Sequence, residues 1–111
     1  MRYHFNVMSD TLKRIKRVLL AGNYEFSVKA LIELDTDGLT ESDVVEAILG
    51  ASAIYKTIRS TSGYRQVHRE YLHIILGANL DGIGVYPKGK LVAQAGVETY
   101  YFMISSKRAL H

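Results

Sequence analysis

The sequence predicts an α+β domain, three N-terminal helices packed on one face of an antiparallel sheet, and three observations carry that prediction. Helix-start signals at Ser9, Ser27 and Thr40 all fall within the first 50 residues. After Gly50 the texture changes to β-branched and aromatic residues punctuated by glycine, as strands and turns require. The helices come first and the strands after, which is the order of an α+β chain and not of a βαβ repeat. At 111 residues the chain is large enough for one core and too short for two, so residues 1–111 form one domain.

Residues 1–8 read as an extended lead-in. Ser9 or Asp10 can accept hydrogen bonds from the first unpaired N–H groups of a helix running to about Ala21, and Gly22 suits the left-handed position beyond it. Leu12, Ile15 and Leu19 lie on one face of this helix, with Lys13, Lys16 and Arg17 clustered on another as an exposed basic face. Ser27 caps a second helix, Val28–Asp35, whose Val28, Leu31 and Ile32 are expected to face inward, and Thr36-Asp37-Gly38 makes a turn. The third helix has the strongest start signal. Thr40 with Asp43 forms a capping-box pattern, Leu39 can pack on Val44 as a hydrophobic staple, and Gly50 ends it after Val44, Val45, Ile48 and Leu49.

The expected strands are 53–60, 69–78, 83–86, 90–94 and 97–106, paired consecutively. Asp81-Gly82 and Pro87-Lys88-Gly89 supply the turn chemistry. In 69–78, Leu72, Ile74 and Leu76 share one face while Arg69, Tyr71 and His73 share the other. That alternation predicts helices against the leucine side and an open polar side opposite.

Charge is unevenly placed. Of the net +3, residues 1–50 contribute −2 (six Lys/Arg, eight Asp/Glu) and residues 51–111 contribute +5 (eight against three). The C-terminal half is therefore the candidate surface for a polyanion. No apolar run approaches the roughly 18 residues of a membrane span, and the N-terminus lacks a signal-peptide core, so a cytoplasmic protein is expected. Zero cysteines remove thiolate chemistry and cysteine-based metal sites, and His4, His68, His73 and His111 have no metal-ligand spacing. No nucleophile elbow, phosphate loop or dinucleotide fingerprint is present, so no cofactor is expected.

What remains is a set of cations, imidazoles and tyrosines on or near the expected sheet: Lys56, Arg59, Arg65, Gln66, His68, Arg69, Tyr71, His73, Tyr86, Lys107 and Arg108. Metal-independent RNA cleavage needs a base for the 2′-hydroxyl, cations for the charge that develops at phosphorus, and an acid for the leaving 5′-oxygen. These side chains can fill every role, and exposed aromatics on a sheet stack on unpaired bases.

Leu12 to Gly22, the Ser27–Leu31 helix, and Ile48-Leu49-Gly50 leading into Tyr55-Lys56-Thr57-Ile58 together resemble the RelE-like ribonuclease toxins, in particular the motility quorum-sensing regulator (MqsR) family. They are also similar to a related family of small domains often encoded beside zinc-finger antitoxins. The resemblance covers about residues 10–107 and implies endoribonuclease cleavage of mRNA, ribosome-associated or not, with an antitoxin protein as inhibitor. It places the family's catalytic lysines on Lys56 and Lys107 and its glutamine on Gln66. For the catalytic tyrosine, both Tyr71 and Tyr86 are candidates. The expected mechanism has Lys56 as general base or phosphate-stabilising cation, Lys107 and Arg59 as charge stabilisers, Gln66 as a positioning group and His68 or Tyr71 as acid. Arg65, Arg69, His73 and Tyr86 complete the RNA surface. The rival expectations are a non-catalytic RNA- or protein-binding module on the same fold, and a protein whose sheet edge pairs with a partner strand.

Overall fold

A computed structural model describes residues 8–59 and 70–109. In chain order the elements are α1 (Asp10–Leu20), β1 (Tyr24–Phe26), α2 (Val28–Asp37), α3 (Glu41–Gly50), β2 (Ile54–Arg59), β3 (Tyr71–Ile75), β4 (Gly77–Ala78), β5 (Gly84–Gln94) and β6 (Val97–Arg108). The class is α+β with the helices N-terminal. The sheet runs β1-β6-β5-β3-β2, with β4 beside β5. Every pairing is antiparallel except that of β1, a three-residue strand between the first two helices, which runs parallel to β6 at the edge. Among the described residues no helix is long and apolar enough to cross a membrane.

The local helix signals act as expected. Ser9, Ser27 and Thr40 accept backbone N–H bonds as N-caps, and Thr40 and Asp43 complete the capping box in both directions. Gly22 takes φ 80° just past α1. Leu12, Ile15 and Leu19 of α1 and Val44 and Ile48 of α3 are buried, in one core with Ile75, Val85, Tyr101 and Met103 of the sheet. Lys16 leaves the exposed basic face expected of it. Its Nζ donates to the Leu49 carbonyl at 2.9 Å and to that of Ala51, so a cation satisfies the orphan acceptors at the negative end of α3.

The second helix reverses the expected inward face. Val28, Leu31 and Ile32 are 73%, 40% and 60% exposed, whereas Ala30 and Leu34 are buried. The cause lies in β6. Beyond the three residues paired with β1, the outer edge of β6 has N–H groups without a strand partner, and α2 lies along it. Glu33 Oε1 accepts Ser106 N–H at 2.9 Å and the Ser105 hydroxyl at 2.8 Å, and Asp37 Oδ2 accepts Arg108 N–H at 2.9 Å. Four residues of helix rise about 6 Å and two residues of strand about 6.8 Å, so carboxylates at i and i+4 match alternate edge amides. Edge amides left bare invite association, and here two side chains close them.

β5 and its neighbours correct two further expectations. Pro87-Lys88-Gly89 is not a turn but the middle of one long strand, and Pro87 sits where β5 has no register partner in either β3 or β4. In β3, His73 and Ile75 are the buried, helix-side residues, while Leu72 and Ile74 are half-buried on the opposite face and Leu76, just beyond the strand, is 49% exposed. Gly89 sets the packing in the middle of β5. A Cβ on Gly89 would lie 2.6 Å from Cε2 of Tyr101, so the ring occupies the space a side chain would take.

The Tyr101 hydroxyl is buried with no hydrogen-bond partner among the described residues, and burial drives its pKa upward. An unsatisfied buried hydroxyl costs more than it returns. Tyr101→Phe is therefore expected to raise stability by about 1 kcal/mol, seen as a higher urea midpoint with unchanged slope. A lower midpoint would mean that the hydroxyl is bonded in solution.

Candidate nucleic-acid interface

Pairing register assigns each predicted site residue to a face. Lys56 of β2 stands opposite Ile74 of β3, Ile74 opposite Lys88 of β5, and Lys88 opposite Ser105 of β6. This row, on the face turned away from the buried core, crosses four strands and ends at Ser105, whose hydroxyl meets Glu33 of α2 at the sheet edge; adjacent strands being about 4.8 Å apart puts the Lys56 and Lys88 backbones about 10 Å apart. Two residues along β5, on the same face, Tyr86 stands opposite Lys107 of β6, close enough for their side chains to touch. Among the described residues Lys56 and Lys88 have no carboxylate partner, and Lys107 Nζ has only a loose one, Glu33 at 3.9 Å. Between the cations the face is apolar: Ile58, Leu72, Ile74 and Phe102 are all half-buried.

Three other members of the predicted set, Arg59, Tyr71 and His73, lie on the opposite side of the sheet. Thr57 pairs with His73 and Arg59 with Tyr71, and His73 is buried under α1. The structure therefore places Lys56, Tyr86 and Lys107 on one face of the sheet and Arg59, Tyr71 and His73 on the other. Tyr71 cannot serve as the acid for chemistry at Lys56 from the far side of the sheet, and the expectation of His73 as an exposed RNA contact is corrected by its 8% exposure. Arg65, Gln66, His68 and Arg69 lie outside the described residues.

Where the pairing of β3 and β5 ends, a cleft of about 250 Å³ is lined by Thr11, Arg14, Glu70, Tyr71, His73, Lys90, Leu91 and Glu98; Thr11, Arg14 and His73 belong to its helix side, and Lys90, opposite Phe102, belongs by register to the open face. Its charges are matched in pairs: Arg14 Nε lies 2.7 Å from Glu98 Oε1, and Lys90 Nζ lies 3.1 Å from Glu70 Oε2. A neutralised cleft has little attraction for a polyanion, whereas Lys56, Lys88 and Lys107 of the open face have no close carboxylate among the described residues and stand with Tyr86. Lys88 was hidden from sequence reasoning by the turn signal of its neighbours, although Tyr86 and Lys88 do alternate as strand residues on one face should. Asn79 was also missed. It is buried, donates to Asp43 Oδ1 at 2.9 Å and accepts the N–H groups of Asp81 and Ile83, while Leu80 N–H reaches Glu46. Those bonds pin the 79–83 loop to the start of α3.

His73 has a measurable consequence for stability. Its Nδ1 is 3.1 Å from Thr57 Oγ1, and burial, reinforced by the Arg14 guanidinium and opposed by Glu98, lowers its pKa from 6.5. The folded state therefore prefers neutral imidazole. The stability this preference gives is fully present above pH 6.5 and is lost as pH falls toward the lower folded-state value, with a slope of at most about 1.4 kcal/mol per pH unit. His73→Gln keeps a group able to bond Thr57 and removes the titration. Its stability between pH 6.5 and 5 is expected to fall less than that of the parent, and parallel pH curves from urea unfolding would exclude the effect.

No family model, curated protein or solved structure matches this chain.

Proposed function

We propose that the protein is a metal-independent endoribonuclease of the RelE-like toxin kind, acting on single-stranded mRNA in the cytoplasm and held in check by an antitoxin protein. The observation that carries this reading is that Lys56, Lys88, Lys107 and Tyr86 share the face of the sheet turned away from the buried core. In the proposed reaction Lys56 withdraws the 2′-hydroxyl proton while the 2′-oxygen attacks phosphorus, or, as a cation, stabilises the phosphate while solvent water takes that proton. Lys88 and Lys107 stabilise the charge on the phosphorane oxygens, and the 5′-oxygen leaves with a proton from the Tyr86 hydroxyl. The products are a 2′,3′-cyclic phosphate and a 5′-hydroxyl. Tyr86 takes the acid role here because it shares the face of the lysines and Tyr71 does not.

The test is incubation of purified protein with a long mRNA in EDTA, followed by analysis of fragment ends. Fragments ending in 2′,3′-cyclic phosphate are expected; intact RNA, with and without ribosomes, would overturn the proposal. The apolar floor of Ile58, Leu72, Ile74 and Phe102 favours a second reading, a non-catalytic module whose face is covered by a partner protein or RNA. RNA binding that weakens steeply with salt and leaves the RNA intact would support the RNA form of that module.

A further inference from the structure

We propose that Tyr55, Leu76 and Tyr86 form a pocket for one unpaired nucleobase. The proposal rests on reading the open face as an RNA surface, and it holds whether or not the RNA is cut. A cavity of about 280 Å³ is lined by these three residues and Ala109. The three side chains are 69%, 49% and 40% exposed, a cluster of large apolar groups presented to solvent at one place. Clustered exposure of this kind marks a binding site more often than does a scattered apolar residue.

Each wall is positioned by the sheet. Tyr86 projects from the open face of β5. Leu76 continues the open-face alternation of Leu72 and Ile74, and Gly77 after it is pressed against α3. Tyr55 lies at the register shift between Ile54 and Lys56, so it is the extra residue of a bulge and departs from the alternation of its neighbours. Bulges commonly re-aim a side chain in this way. Charge selects the occupant: Lys56 follows Tyr55, Lys107 stands opposite Tyr86, and among the described residues no carboxylate lines the cavity. Two phenol rings and a leucine edged by cations match a base with its flanking phosphates better than an apolar side chain of a protein.

The experiment uses short single-stranded RNA methylated at every 2′-hydroxyl, which blocks cleavage, with binding followed by anisotropy. The chain has no tryptophan, so quenching of tyrosine emission is a second readout. Tyr55→Ala and Tyr86→Ala are each expected to weaken binding by about 5- to 150-fold, the effect of one lost stack, while Tyr55→Phe and Tyr86→Phe retain it. An abasic site at one position should reproduce the loss and add nothing to Tyr86→Ala. Alanine variants that bind like the parent, or abasic sites tolerated equally everywhere, would overturn the pocket. Parallel cleavage of unmodified RNA separates the two claims. Fragments with unaltered affinity of the alanine variants would sink the pocket and leave the ribonuclease. Base-specific binding without fragments would do the reverse. Absence of RNA binding, with quenching only by a partner protein, would also overturn the pocket.

Discussion

Lys56→Ala is expected to lower the rate of RNA cleavage by at least about 100-fold and to leave the fold intact. Removing one group that acts on developing charge, or one general base, costs roughly 10²- to 10⁴-fold in other enzymes. Lys56 is exposed and has no carboxylate partner among the described residues, so its truncation should change stability by less than about 0.5 kcal/mol. Lys56→Arg separates the two roles. A guanidinium stays protonated and cannot act as a base, so loss of cleavage in both variants assigns proton abstraction, and rescue by arginine assigns charge stabilisation. Single-turnover rates in EDTA with saturating RNA make the comparison, with thermal unfolding of both variants as control. Cleavage by Lys56→Ala at the parent rate would remove Lys56 from the mechanism.

The features legible in the sequence are the ones decided locally. The buried stripe Leu12, Ile15 and Leu19 and the Thr40–Asp43 capping box depend on residues within one or two turns, and they appear as expected. The faces of α2 and β3 depend on distant partners. In α2, the helical spacing of Val28, Leu31 and Ile32 competes with the need of β6 amides for acceptors, and Glu33 and Asp37 turn the helix toward that edge. In β3, Ile74 and Ile75 are adjacent, so each face has an isoleucine and alternation alone cannot choose. The choice goes to the side on which His73 finds Thr57 and Ile75 finds the helices. The candidate site divides the same way. Lys56, Tyr86 and Lys107 carry chemistry in any strand assignment, but whether Tyr86 or Tyr71 shares their face is settled only by register. Tyr55 escapes notice because a bulge has no signature in a stretch of β-branched residues.

The largest effect on folding is expected at Gly77. A Cβ there would lie 2.1 Å from the carbonyl oxygen of Ala47 and 2.9 Å from its carbonyl carbon, inside any allowed contact and against helix backbone that cannot rotate away. In Gly77→Ala either β4 leaves α3, breaking its pairing with Val85, or α3 moves and opens the core around Val44 and Ile48. Asn79 and Leu80, two and three residues on, are bonded to Asp43 and Glu46 of the same helix, so neither movement is local. The expected cost is about 3 kcal/mol or more, a fall in melting temperature of roughly 10–20 °C. Gly50→Ala is the control. It ends α3 without a left-handed conformation, and its added methyl would meet only Ala78 O at 3.9 Å. Alanine is the better helix former by about 0.5–1 kcal/mol, so this variant should melt at or above the parent. Similar melting of the two variants would mean that β4 does not approach α3 this closely. Opposite shifts would establish the contact, and with it the packing that holds Leu76 at the wall of the proposed base pocket.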